Sequence, residues 1–177
     1  MSAPTGLEQY MLELINAERK KVGAQPLAFD RDLNQAADAH SAWMIATDTF
    51  SHTGSGGSTP AQRMSRAGFD FFGSWAAAEN IAWASLRGAP GLQDEVQLLH
   101  ADLMASPGHR RNLLNDTYRE IGIGLQTGQY ETWDSAFVTQ NFALTRTKPI
   151  LTGVAYNDRD GDRSYDPARA SAACWSR

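Results

Sequence analysis

Cysteine is almost absent from this chain, since Cys174 is the only one in 177 residues. A single thiol cannot form an internal disulfide, so the small disulfide-stapled folds are excluded and a hydrophobic core must hold the structure. The scarcity does not identify the compartment, because an exported bacterial domain of this size can also be stable without disulfides.

Long apolar runs and an excess of positive charge are missing as well. No run of about 18 apolar residues occurs, which predicts that no segment spans a membrane. The net charge is −4 and the pI about 5.5, so nucleic acid is not expected as a partner. Residues Met1 to Thr5 lack the charged and apolar regions of a signal peptide, and we expect such a peptide to precede this sequence.

Helix signals dominate the first two thirds of the chain. Hydrophobic residues make up 42% of the sequence, which is enough for one ordinary core. Apolar residues recur at helical spacing after each of several starting signals. Those signals are Thr5 with Glu8, Asp30, Thr59–Pro60 with Gln62, a point near Leu92, and Ser106. The Ala-rich stretch Trp75 to Trp83 is compatible with a short helix or with a turn that leads into a strand.

The apolar period changes to two near the end. Ile121 and Ile123 alternate with glycines, and residues 136–142 form a second candidate strand. A longish hairpin loop through Gly128 would join them as antiparallel neighbours. The predicted fold class is therefore α+β, with helices on a small antiparallel sheet. The apolar periods predict that eight residues are buried, namely Leu14, Ile15, Leu33, Met44, Leu98, Ile121, Ile123 and Phe142.

Four segments in a fixed order give the chain a family resemblance. They are LINAERKKVGAQPLAFDRDLNQAADAHSAWM, then FSHTG, then AENIA, and then SPGHRRNLL followed by REIGIG and VTQNFA. The ordered set resembles the CAP superfamily (cysteine-rich secretory protein, antigen 5 and pathogenesis-related 1) in its bacterial form. The resemblance implies a three-layer α-β-α sandwich over residues 1–147 and a secreted protein.

The same resemblance implies a cleft with histidine and acidic side chains. Carried over by position, its members are His52, Glu79 and His109. The family's second glutamate is missing, because Ser106 stands at its position. We infer that Glu120, just before the Ile-Gly-Ile-Gly strand, fills the acidic role from another direction.

The two cleft histidines could hold one divalent metal ion such as Zn²⁺. Imidazole is a common zinc ligand, and the helix N-terminus at His109 favours its neutral form. Glu79 could orient one of the rings. The alternative is a hydrogen-bond network that only holds the loop, Glu79 and the helix together. His40, on the apolar face of the second helix, is interpreted as a core histidine.

Residues 148–177 are interpreted as a C-terminal strand followed by an Asp-rich loop, which resembles the opening of a small, here truncated, β-domain found after some bacterial CAP domains. The loop has oxygen-bearing side chains at alternate positions, which suits Ca²⁺. They are Asp158, Asp160, Asp162, Ser164 and Asp166. A solvated turn is the alternative interpretation.

Two functions remain open at this stage. The first is a secreted binding module, favoured as a monomer, that holds a lipid, sterol, peptide or cell-surface ligand in the His/Glu cleft. The second is a metal-dependent hydrolase, with a peptidase as the favoured kind. The sequence contains no H-E-x-x-H helix, and neither Ser41 nor Ser51 has the strand-turn-helix context of a nucleophilic serine. The missing glutamate and nucleophile therefore favour the binding module.

Overall fold

The computed structural model describes residues 4–88 and 91–144. Within these ranges, five helices and four strands follow one another, with one 3₁₀ turn at Ser55–Gly57. In chain order they are α1 Gly6–Lys21, β1 Ala28–Phe29, α2 Arg31–Ala46, α3 Pro60–Ala67, β2 Ala76–Ser85, α4 Gln93–Ala105, α5 Pro107–Leu114, β3 Glu120–Tyr130 and β4 Trp133–Leu144. No helix in these ranges is long and apolar enough to cross a membrane.

The helix caps predicted at Thr5, Asp30 and Thr59 form, whereas the one predicted at Ser106 does not. Thr5 and Glu8 make a reciprocal capping box at α1, and Thr59 and Gln62 make another at α3. The carboxylate of Asp30 accepts hydrogen bonds from two backbone N–H groups at the start of α2. Ser106 occupies the cap position of α5, but its hydroxyl makes no capping hydrogen bond.

The sheet is mixed, which corrects the prediction of a purely antiparallel sheet. Its order is β1-β3-β4-β2, with β3–β4 and β4–β2 antiparallel and the two-residue β1 parallel to β3. The stretch from Trp75 to Trp83 is neither a helix nor a turn, because most of it lies in the ten-residue β2. The hairpin loop through Gly128 was also wrong, since Gly128 lies inside β3 opposite Ser135 and only Glu131 and Thr132 connect the strands.

Two helical layers cover the sheet, as the α-β-α prediction requires. Helices α2 and α3 lie on one face, and α1, α4 and α5 pack on the other. Six of the eight residues predicted to be buried are buried; Leu14 and Leu98 are only partly covered because they lie at the margins of their helical stripes.

Helix α2 rests directly on the backbone of β3. A Cβ atom at Gly122 would collide with the backbone of Leu33 and Asn34, and one at Gly124 would collide with the backbone at Ala37 and Asp38. The glycines at alternate positions therefore form a smooth strip on one face of β3, which lets the helix approach more closely than side chains would permit.

Arg19 ties α1 to the segments that flank α5. It is fully buried and donates hydrogen bonds to the backbone carbonyls of Gln25, Leu113, Asn115 and Tyr118 at 2.7–3.2 Å. Because the guanidinium carries five donors in a planar fork, one side chain can satisfy several loop carbonyls. This contact fixes the end of α5, the helix that carries His109.

Side chains take the place of a further strand along the outer edge of β3. Beyond the short β1, Ile123 N–H donates to Asn34 Oδ1 at 2.9 Å, and Leu125 N–H donates to Glu8 Oε1 at 3.2 Å. The carboxyl of Asp38 lies beside Glu8. Burial, followed by the negative charge of Glu8, raises the pKa of Asp38 from 3.8 to about 6.

The glycine strip predicts an unequal cost for two similar substitutions. Gly124→Ala should lower the free energy of unfolding by about 3 kcal/mol, because the new methyl group meets the α2 backbone. Gly128→Ala is the matched control on the same strand; its methyl meets only the Ile45 side chain, 2.5 Å from Cγ2, and should cost about 1 kcal/mol. Urea unfolding measures both, and equal costs would contradict the proposed helix–strand contact.

The Asp38–Glu8 pair predicts a pH-dependent contribution to stability. The folded-state pKa of Asp38 lies above its ordinary value, so its contribution is present below about pH 4 and is lost as the pH rises through about 6. Asp38→Asn should therefore flatten the decline in unfolding free energy between these pH values. Urea unfolding at several pH values measures the difference from wild type. The exposed Asp70→Asn is the control; an unchanged slope in Asp38→Asn would refute the explanation.

Candidate functional site

A buried carboxylate on the edge strand β2 organises the site. Both oxygens of Glu79 are bonded: Oε2 accepts from Arg63 Nη2 at 2.6 Å, and Oε1 lies 2.8 Å from His52 Nδ1. The side-chain amide of Asn141 is oriented so that its nitrogen donates to Glu79 Oε2 at 3.2 Å and its oxygen accepts from Ala37 N–H. The carboxylate is thus held by a cation, an imidazole and an amide.

Arg63 also shapes the loop that presents His52. Its Nη1 donates to the carbonyls of His52 and Ser58, at 3.0 and 2.8 Å. A Cβ atom at position 54 would lie 2.9 Å from that nitrogen, so a larger residue there would push the guanidinium away from the loop. One side chain on α3 therefore fixes both the carboxylate and the loop.

The orientation of His52 follows from its bond to Glu79. A carboxylate only accepts hydrogen bonds, so Nδ1 carries the proton of this bond. In the neutral ring, Nε2 then has the lone pair. The His52 side chain is 51% exposed although Glu79 beneath it is buried. The arrangement therefore presents one imidazole nitrogen of defined tautomer toward solvent.

The residue after Glu79 holds the second histidine from the opposite face of the sheet. Asn80 is fully buried; its Nδ2 donates to the carbonyl of His109 at 3.2 Å, and its Oδ1 accepts from Asn112 Nδ2 at 2.8 Å. Successive side chains of a strand point to opposite faces. Glu79 and Asn80 therefore position the His52 loop and the first turn of α5 on either side of the same strand.

His109 is half-buried at the start of α5. Burial, followed by the electrostatic interaction with His52, lowers the pKa of His109. The two imidazoles are thus within electrostatic range of each other, and His109 is favoured in the neutral form that metal binding requires.

The two remaining predicted cleft residues, Glu120 and Ser106, make none of the hydrogen bonds described for Glu79 and Asn80. Glu120 is the first residue of β3, and its cross-strand partner on β4 is Ala143, which in turn pairs with Ala77 of β2. One strand separates it from β2, which puts the two backbones about 10 Å apart. Ser106 lies partly buried at the junction of α4 and α5. The acidic role inferred for Glu120 stays a prediction.

Three members of the network were missed by the sequence analysis: Arg63, Asn141 and Asn80. Asn80 and Asn141 lie in the AENIA and VTQNFA segments that carry the family resemblance, whereas Arg63 lies in none of the quoted segments. His40 is a core histidine, as predicted. It is 1% exposed, with Nε2 3.0 Å from the Ser51 carbonyl and 4.0 Å from Glu79 Oε1.

The structure describes one of the two predicted metal sites and not the other. In the part of the chain that the structure describes, no three His, Cys, Asp or Glu residues group into a metal site. His52 and His109 could still supply two imidazole ligands, which stays a prediction. The Asp-rich loop of Asp158, Asp160, Asp162, Ser164 and Asp166 lies outside the described residues, as does the predicted strand before it.

Comparisons with known proteins agree on the family. The model of the cysteine-rich secretory protein (CAP) family matches residues 12–142. YkwD of Bacillus subtilis is 33% identical over 141 residues, which is 77% of this chain and 50% of that protein. The B. subtilis membrane protein YlbC is 30% identical over 78% of this chain and 34% of its own length. The chain thus spans half or less of these curated relatives.

Solved structures share the fold. An extracellular protein from Bacillus anthracis that contains an SCP domain has a TM-score of 0.57 and 30% identity, covering 80% of this chain and 44% of that one. An outer surface protein of Borrelia burgdorferi has a TM-score of 0.59 at 21% identity, covering 79% and 95%. NaASP2, whose crystal structure was determined with Zn²⁺, has a TM-score of 0.57 at 13% identity, covering 78% and 80%. The last two similarities establish the fold alone.

The Glu79 network predicts a large cost for removing its charge. Glu79→Gln should lower the free energy of unfolding by about 3 kcal/mol, because it leaves the nearly buried Arg63 without its carboxylate. Asp94→Asn is the control, since it breaks an ion pair whose two side chains are 47% and 40% exposed and should change stability little. Urea unfolding compares the two; similar effects would contradict a dominant role for the buried pair.

Proposed function

Because this chain belongs to the cysteine-rich secretory protein (CAP) family, we propose that it is the binding module of a secreted bacterial protein. Its cleft at His52 and His109 would hold a lipid, peptide or other cell-surface ligand. The extracellular SCP-domain protein of B. anthracis supports this setting. The chain covers only 44% of that protein, so the activity of a longer protein could involve further segments.

The observation that carries the proposal is the full engagement of Glu79. Both carboxylate oxygens are bonded, and one of them is paired with a guanidinium. A general base needs an oxygen that is free to approach the proton it takes, and both oxygens of Glu79 are already occupied by hydrogen bonds within the protein. Glu79 therefore acts best as a positioning residue that orients His52, while the exposed imidazole makes the contact with the ligand.

We infer that a divalent metal ion is an accessory to binding in this cleft. His52 Nε2 and His109 are the donors that would hold it, and Glu79 would orient His52 by accepting its Nδ1 proton. A metal ion held by two protein side chains would keep coordination positions open for an oxygen atom of the bound molecule. It would polarise that oxygen as a Lewis acid. The zinc-containing crystal structure of NaASP2 is consistent with this part of the proposal.

A metal-dependent hydrolase is the second candidate, and one observation favours it. The His52–Glu79 pair, with a buried carboxylate on Nδ1 and an exposed Nε2, is the arrangement that orients an imidazole as a general base. A hydrolase of this kind also needs a carboxylate or another group that activates water, and both oxygens of Glu79 are already bonded, which makes binding the better-supported function.

The metal proposal predicts that zinc affinity depends on both cleft histidines. His52→Ala and His109→Ala should each weaken zinc binding at least about tenfold, because each removes one of two imidazole donors. Isothermal titration calorimetry with ZnCl₂ measures the affinity. His100→Gln is the control, because it changes a histidine outside the cleft. His100 lies on α4, and its charged neighbours are Glu18 and Lys21 on α1.

The same variants separate the alternatives. Unchanged zinc affinity would refute the two-histidine site. If His52 instead belongs to a purely structural network, His52→Ala should cost about 1–3 kcal/mol of stability without metal. Cleavage of a peptide library that a chelator abolishes and zinc restores would favour the hydrolase over the binding module.

A further inference from the structure

A groove of about 320 Å³ lies between α2 and α3, beside the loop that carries His52. Its size is at the lower end of the range for small-molecule sites. Ala36 and Ala39 line the α2 side, so a small apolar surface is left open next to polar groups. Neither His52 nor His109 lines this groove, which distinguishes it from the cleft described above.

The charges that line the groove are positive. Arg63 and Arg66, one turn apart on α3, both contribute to it, and none of the described residues that line it is acidic. Arg63 is already paired with Glu79. Arg66 is exposed, and it is the guanidinium that an anion in the groove would meet. This local charge contrasts with the net charge of −4 on the whole chain.

A buried hydrogen-bond acceptor lies on the α2 side. Nε2 of His40 is 3.0 Å from the Ser51 carbonyl, so Nε2 is the donor and Nδ1 has the lone pair. His40 is 1% exposed, and Nδ1 has no hydrogen-bond partner among the described residues. A buried polar atom without a partner is unusual in a folded protein, and it points to a donor brought by a ligand.

An aromatic pair completes the same wall. The indole of Trp43 stacks on the imidazole of His40, with ring centroids 5.5 Å apart and planes inclined by 10°. Both rings line the groove. Flat aromatic surfaces favour ring-shaped ligands, which can pack against them over a large area.

We propose that the α2–α3 groove is a second binding site, for a small ring-bearing carboxylate that also carries a hydroxyl group. Arg66 meets the carboxylate, the ring packs against Trp43 and the alanines, and the hydroxyl donates toward His40 Nδ1. The proposal requires the Trp43 side chain, which stacks on His40, to shift so that the hydroxyl can reach this buried nitrogen. The site does not depend on the function proposed for the cleft.

Titration of the full chain with 4-hydroxybenzoate, followed by ¹H–¹⁵N NMR, tests this site. We expect saturable shifts in α2 and α3, including the Trp43 indole N–H. Benzoate, which lacks the hydroxyl, and 4-hydroxybenzyl alcohol, which lacks the carboxylate, should each bind at least about threefold more weakly. Ala39→Leu, at an exposed position on α2, should fill the groove and abolish binding.

Matched variants make the outcome specific. Arg66→Gln should weaken 4-hydroxybenzoate at least about threefold, whereas Arg110→Gln and Ala17→Leu, at exposed positions on other helices, should not change its affinity. Absence of shifts at about 10 mM probe, binding that survives in Ala39→Leu, or equal binding of the three probes would overturn the proposal. Zinc binding by Ala39→Leu should equal wild type, so failure here is distinguishable from failure of the cleft proposal.

Discussion

The pairing of Glu79 with Arg63 is the interaction on which the site depends. A carboxylate removed from water costs several kcal/mol unless a cation and hydrogen-bond donors replace its hydration. Glu79 is buried on the sheet, so a guanidinium has to reach it from the layer above. That requirement fixes where α3 lies. It also explains why the loop between α2 and α3 has a glycine at position 54, where Arg63 crosses to bond the carbonyls of His52 and Ser58.

The site also depends on how closely α2 packs against the sheet. Gly122 and Gly124 let the α2 backbone touch β3, and this close approach brings His40 to within 4.0 Å of Glu79. With larger residues at those glycines, the helix and the loop after it would stand further from β2. The hydrogen bond between His52 and Glu79 would then be lost. The glycine strip, which contains no chemically reactive side chain, therefore sets the geometry of the imidazole.

The parts of the fold that could be predicted are those written in local sequence. Helix caps such as Thr5 with Glu8 depend on residues three positions apart, and the buried face of α2 depends on a single period. Strand β2 escaped prediction because Glu79 and Asn80 are both buried, on opposite faces, so no alternation of polar and apolar residues marks it. Gly128 was wrongly predicted as a turn. In sequence, a glycine that leaves room for a packed side chain, here Ile45 of α2, cannot be told from a glycine in a turn. Arg63 had no local signal. Asn141 lies in the quoted VTQNFA segment, but nothing in that segment indicates that its amide contacts Glu79 on another strand.

An edge strand is the natural place for a site assembled from both helical layers. In the centre of the sheet, the two faces are separated by strands on either side, and groups above and below could not meet. β2 is the last strand in the order β1-β3-β4-β2, so no further strand lies beyond it to separate the two helical layers. Glu79 and Asn80 can then serve opposite faces with adjacent residues, one holding the His52 loop and the other the first turn of α5. Because side chains alternate along a strand, two adjacent residues can position two histidines that are 57 positions apart in the sequence.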